Sequence, residues 1–71
     1  MKKKINIEGM SCMHCVKHVE EALKEVAGVI KVTVDLNGKN AVVELDGDVQ
    51  DSQLSEVIQE VGYDVNGITN L

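Results

Sequence analysis

Proline, tryptophan and phenylalanine are absent from this chain of 71 residues, and a single tyrosine is its only aromatic. Arginine is absent too: all seven basic residues are lysines, set against twelve acidic ones for a net charge of −5. A surface that tracks a phosphate backbone needs a basic face with interleaved aromatics, so nucleic acid is excluded as a partner. No run of 18 apolar residues occurs, which excludes a transmembrane helix and direct membrane insertion. The basic start Met1-Lys2-Lys3-Lys4 has no apolar stretch behind it and does not form a signal peptide, so a cytoplasmic protein is expected. Those three lysines are expected to be a solvated terminus. The length fits one domain, residues 1–71, too small to enclose a large organic substrate. With 44% hydrophobic residues, the chain is too apolar to stay disordered at this charge.

What is present is punctuated periodicity. Ile5 and Ile7 alternate with Asn6 and Glu8, a short strand that Gly9 breaks. Val16, Val19, Leu23 and Val26, with Ala22 beside them, form one apolar helical stripe, and Gly28 is expected to cap it. Lys17–Glu21 and Glu20–Lys24 are i,i+4 pairs on its wetter side. Ile30, Val32, Val34 and Leu36 alternate with polar residues as a second strand. Asn37-Gly38 predicts a two-residue hairpin with positive φ at both positions. The returning strand, Asn40 to Leu45, puts Ala41, Val43 and Leu45 on one face. Polar residues from Asp48 to Ser52 supply N-caps for a second helix bearing Leu54, Val57, Ile58 and Val61, which Gly62 stops. Tyr63, Val65 and Ile68 make a last strand before a frayed end.

The order strand, helix, strand, strand, helix, strand has two halves that echo each other. Val26-Ala27-Gly28-Val29 and Glu60-Val61-Gly62-Tyr63 both close a helix on glycine and open a strand. A doubled βαβ of this size is an α+β ferredoxin-like βαββαβ sandwich, with two helices on one face of a four-stranded antiparallel sheet. The other face is expected to be polar, with Asn6, Lys31, Thr33 and Glu44 pointing that way.

One segment carries chemistry: Gly9-Met10-Ser11-Cys12-Met13-His14-Cys15. Cys12 falls on the loop and Cys15 in the first helical turn, so an i,i+3 spacing aims both sulfurs at one point. The free N–H groups and partial positive charge of a helix N-terminus favour thiolate and lower a thiol's pKa. Two adjacent thiolates repel, and a cation between them relieves the repulsion. Soft sulfur selects a soft closed-shell ion such as Cu(I), and two good ligands leave zinc's usual four positions unfilled.

The segment from Gly9 to Val16 resembles the heavy-metal-associated domain pattern, Met-x-Cys-x-x-Cys after a glycine, and the resemblance extends over almost the whole chain. His14 before the second cysteine, together with Val61-Gly62-Tyr63-Asp64-Val65, looks most like the bacterial copper chaperones of the CopZ type. Eukaryotic copper chaperones carry lysine where Tyr63 stands. Ser11, where threonine is common, is a mild departure. The resemblance implies a metallochaperone of copper homeostasis and ion transport. It would be cytosolic, not an enzyme, and would carry Cu(I) on Cys12 and Cys15, with Ag(I) or Hg(II) as substitutes. It further implies delivery to a copper-transporting P-type ATPase by exchange between cysteine pairs, and a copper-responsive repressor as a further recipient. The apo form is expected to be a monomer, with a copper-bridged dimer when loaded.

Around the two sulfurs, Met10 is expected to anchor the loop in the core rather than to ligate. His14 is expected to favour thiolate and tune the pH response, against the alternative of a solvated loop histidine. By resemblance Tyr63 sits beside the site, screening the metal or hydrogen-bonding a cysteine. Met13 either shields the site or is an indifferent surface residue, and His18 is expected to be an ordinary helix-surface residue. Three other readings remain open. A thiol–disulfide oxidoreductase is disfavoured, since thioredoxin-like folds are longer and use a cis-proline. A zinc site from Cys12, Cys15 and His18, or a mercury carrier, is a second. The third is an N-terminal metal-binding module of an ATPase.

Overall fold

The elements are β1 (Lys2–Glu8), α1 (Met13–Lys24), β2 (Val29–Asp35), β3 (Asn40–Leu45), α2 (Asp51–Glu60) and β4 (Asp64–Asn70). They come from a computed structural model that describes residues 1–47 and 49–71; Asp48, among the expected helix caps, lies outside the described residues. The strands form one antiparallel sheet in the order β2-β3-β1-β4. The central strands bury Ile5, Ile7, Ala41, Val43 and Leu45. Alternate residues Asn6, Lys31, Thr33 and Glu44 are half-buried or exposed, as a half-buried sheet requires. The expected stripes supply the other half of the core: Val16, Val19, Ala22 and Leu23 from α1, Leu54 and Ile58 from α2. α1 packs over β2, α2 over β4, and the helices touch each other. This is the expected ferredoxin-like sandwich.

Several local expectations change. Lys3 is not part of a solvated terminus: β1 starts at Lys2, and the inward alternation Ile7, Ile5 continues to Lys3, which is only 9% exposed. Its ammonium donates to the Val49 carbonyl at 3.0 Å and pairs with Asp51 in the first turn of α2. The long aliphatic stem fills a core position while the charge reaches the sheet–helix boundary. Lys3→Met keeps the stem and loses both bonds. A loss of roughly 1–3 kcal/mol in urea unfolding is expected, against less than about 0.5 kcal/mol for Lys2→Met on the exposed alternate position.

Ile30 is 68% exposed rather than inward. The β2–β3 register steps from Val29↔Leu45 to Lys31↔Glu44, so Ile30 is the extra residue of a bulge and Val29 takes the core-facing position. A second bulge explains an awkward spacing in β4. Ile5 pairs with Ile68 and Ile7 with Val65, so the inserted residue lets two side chains three apart both face the core. The end of β4 is not frayed, since the Leu71 N–H donates to the Lys2 carbonyl at 2.9 Å.

The hairpin is not the two-residue Asn-Gly turn. Residues 36–39 form a four-residue loop, and the positive φ falls on Lys39 (54°), not on Asn37 or Gly38. The Asp35 carboxylate accepts the Gly38 N–H at 3.1 Å, which stabilises a turn closed by Lys39 N–H to Leu36 C=O. Gly28 likewise lies beyond the C-cap, Glu25, rather than on it. A β-carbon there would sit 2.7 Å from Val49 Cγ2, so the glycine admits close approach of the loop before α2. Val61, expected in the α2 stripe, is the C-cap and 39% exposed. The cap at the other end of α2 is Gln50, whose N–H donates to Gln53 Oε1 at 3.0 Å. Of the two i,i+4 pairs, Glu20–Lys24 forms at 2.8 Å; Lys17–Glu21 is not among the ion pairs of the described residues.

Candidate metal centre

β1 leaves the sheet at Glu8, and Gly9 turns the chain with a φ of +100°, a conformation that costs other residues steric strain. Met10 then drops back into the core at 6% exposure, joining the cluster that holds Ile7 and Val16. With both ends tied, the loop offers Ser11 and Cys12 to solvent. Cys12 is the N-cap of α1 in an extended conformation; its carbonyl accepts the N–H groups of Cys15 (3.1 Å) and Val16 (3.3 Å). Its side chain makes no capping bond, so the sulfur is left free.

Cys15, half-buried on the first turn, brings its sulfur to 3.6 Å from that of Cys12. That exceeds the disulfide bond length of about 2.05 Å, and both cysteines are free. The Cys15 thiol is brought down to about 6, chiefly by a hydrogen bond from the Ser11 backbone and then by the Tyr63 hydroxyl. The Cys12 side chain and backbone add to this, and desolvation opposes it. The partner shifts oppositely: Tyr63 is pushed up to about 12, mainly because its hydroxyl serves Cys15. A phenol that stabilises an adjacent thiolate holds its own proton more tightly.

Tyr63 reaches the cysteines through the end of α2. Gly62, with φ +96°, donates to the Gln59 carbonyl at 3.0 Å and Tyr63 N–H to that of Ile58 at 3.3 Å, the paired bonds of a Schellman cap. The cap turns the chain so that the ring lies on Gly9, where a β-carbon would come within 3.2 Å of Tyr63 Cδ1. The glycine that opens the loop thus also makes room for the tyrosine that closes over it. Tyr63→Phe removes the hydroxyl and keeps the packing. The Cys15 midpoint, followed by thiolate ultraviolet absorbance, is expected to move up from about 6 toward the ordinary cysteine value of about 8.5. Because the folded value lies below the unfolded one, Cys15 ionisation stabilises the fold above the ordinary value. That contribution disappears as pH falls through about 6.

The remaining expected residues fall in different places. His14 is exposed between the cysteines, and Met13 is 62% exposed beside it. His18 lines a shallow groove with Glu21, Glu25 and Val61. Among the described residues no three His, Cys, Asp or Glu side chains converge, so Cys12, Cys15 and His18 do not form a three-ligand cluster. The arrangement is therefore two sulfurs, one with a stabilised thiolate, at an exposed helix start. Sequence reasoning missed the largest influence on Cys15, the Ser11 backbone, because a main-chain donor leaves no mark on residue identity. No helix among the described residues is long and apolar enough to cross a membrane.

Residues 4–64 match the family described as the heavy-metal-associated domain. The chain is 44% identical over 64 residues to the copper chaperone CopZ of Enterococcus hirae, covering 89% of this chain and 93% of that protein. Among solved structures, a CopZ metallochaperone superposes with a TM-score of 0.87 at 39% identity, over 92% of this chain and 98% of the other. A copper-binding domain from HMA7, a P-type ATPase, superposes at 0.85 with 34% identity, over 93% and 92%.

Proposed function

The chain belongs to the heavy-metal-associated domain family, and from that premise we propose that it is a cytoplasmic copper chaperone holding one Cu(I) between Cys12 and Cys15. The observation that carries this reading is the pair of free sulfurs 3.6 Å apart at the start of α1, with the Cys15 thiolate stabilised and no third His, Cys, Asp or Glu converging on them among the described residues. Two soft donors suit a low-coordinate monovalent ion, while zinc's four positions stay unfilled. Ag(I) and Hg(II) share the same softness and are expected substitutes.

No substrate bond is made or broken. The exposed loop lets a partner thiolate approach the ion before Cys12 or Cys15 leaves it, so the metal passes through a three-coordinate state rather than through free solution. Met10 holds the loop from below, and Tyr63 screens one side and stabilises the Cys15 thiolate; His14 is exposed between the two cysteines. The recipient is the cysteine pair of a copper-transporting P-type ATPase, with a copper-responsive repressor as a second. Two copies sharing copper through four sulfurs give the loaded dimer, while the apo protein is a monomer.

The test is transfer. Cu(I)-loaded protein is mixed with an excess of a reduced metal-binding domain from a copper-transporting ATPase in the presence of a chelator that traps free Cu(I), and the two are then separated. The reading predicts copper on the acceptor with the chelator uncoloured. Copper appearing on the chelator first, or staying with the donor, contradicts it.

A further inference from the structure

We propose that His14 and His18, one turn apart on the outer face of α1, form a second metal site: a two-imidazole chelate for a borderline divalent ion, separate from the sulfurs that hold Cu(I). α1 runs unbroken from Met13 to Lys24. The i,i+4 spacing therefore rotates His18 only about 40° from His14 and sets their β-carbons roughly 6 Å apart. Two imidazoles so placed can close on one ion, as the paired histidines of helical metal motifs do. Both residues are exposed, and the buried stripe of the helix, Val16 and Val19, lies on its other side. Neither imidazole takes part in the side-chain hydrogen bonds or ion pairs of the described residues, so the rings are open to a ligand.

The donors select the ion. Imidazole suits divalent ions of borderline softness, whereas the thiolates of Cys12 and Cys15 draw soft ions such as Cu(I). Mg(II) and Ca(II) take oxygen ligands and are poorly served by nitrogen. No third His, Cys, Asp or Glu side chain converges on the pair among the described residues, which leaves the other coordination positions to water. Two nitrogens with water oxygens form a donor set for Ni(II) or Cu(II) rather than for a closed tetrahedral zinc site. The local field is favourable to a cation on the His18 side. Glu21 and Glu25 line a groove with that residue, and neither belongs to the ion pairs among the described residues. Lys17, beside His18 in the helix, works against them. The sulfurs and the imidazoles meet within the first two turns of α1, so soft monovalent and borderline divalent ions are each drawn to their own donors on one short helix.

The experiment titrates the full chain with Ni(II) after the competing thiolates have been removed by the Cys12→Ser/Cys15→Ser double substitution. The backbone bonds of the helix start do not involve these side chains, so circular dichroism is expected to show the variant folded. The parent chain with both thiols alkylated is titrated in parallel, which supplies the result if the double variant does not fold. Calorimetry is expected to give one Ni(II) per chain. Because the ion is paramagnetic, the ring signals of His14 and His18 are expected to broaden before any others. Adding His14→Gln or His18→Gln is each expected to weaken Ni(II) binding about tenfold or more, since a single imidazole cannot chelate. Both histidines are exposed, so these variants are expected to fold as the parent does. Mg(II) at the same concentration is expected to leave both rings unchanged. Absence of saturable Ni(II) binding, indifference to both histidine substitutions, broadening centred on the carboxylates of α2, or an equal response to Mg(II) would each overturn the proposal. Thiolates are absent from both samples, so the outcome is independent of Cu(I) binding at the sulfurs.

Discussion

Cys15→Ser is expected to lower Cu(I) affinity by orders of magnitude while leaving the fold intact. A hydroxyl is a hard, essentially protonated donor at neutral pH and does not replace a soft thiolate. Cys12 alone would hold the ion through one sulfur, without the closure of two donors 3.6 Å apart. The fold is expected to persist because the backbone bonds of the helix start, Cys15 and Val16 N–H to the Cys12 carbonyl, do not involve the side chain. Competition against a Cu(I) chelator measures the loss, and thermal unfolding by circular dichroism checks the fold. Retention of tight binding would exclude the cysteine pair as the site.

Ile58→Ala carries the largest expected effect on stability. Ile58 is fully buried on the inner face of α2, in the same cluster as Ile5, Val43 and Leu54. Truncation leaves a cavity and is expected to cost about 2–5 kcal/mol, out of a total of only about 5–15 kcal/mol for domains in general. The denaturant midpoint should fall with an unchanged slope. Val61→Ala, at the exposed cap three residues on, should change stability by less than about 0.5 kcal/mol. The consequence extends to the site. The Ile58 carbonyl accepts the N–H of Tyr63, so a loosened α2 terminus also frees the ring lying on Gly9. A partly unfolded Ile58→Ala protein should show the Cys15 midpoint rising from about 6 toward the ordinary thiol value.

The order of the six elements was legible in the sequence because each burial face repeats at the period of its own backbone. Val16, Val19 and Leu23 recur at helical steps, and Ala41, Val43 and Leu45 at strand steps. The position of Cys12 before the helix and Cys15 on its first turn followed from the same pattern. Departures came where one residue breaks a period. The β2 bulge turns Ile30 outward, and the β4 bulge lets Val65 and Ile68 both face in. Neither residue type at those positions announces an insertion. Lys3 was misplaced because charge outweighed alternation in the expectation; in the fold, alternation prevails once Val49 and Asp51 satisfy the ammonium. The Asn37-Gly38 turn gave way to a long-range requirement: Ile7 N–H bonds the Lys39 carbonyl at 2.8 Å, tying the loop to β1. The acidic groove was hidden for a related reason. Lys17, Glu20, Glu21 and Lys24 of α1 and its C-cap Glu25 look mixed in sequence, yet Glu21 and Glu25 line one groove with Val61 at the end of α2.

The central claim is that two sulfurs at the start of α1 hold one soft monovalent ion. Anaerobic titration of the reduced protein with Cu(I) against a calibrated chelator, with native mass spectrometry on the same samples, addresses it directly. One copper per chain, withdrawn from a weak chelator and surrendered to a strong one, is the predicted result. Copper that stays with the weak chelator while the spectrum shows only the bare chain would contradict the account.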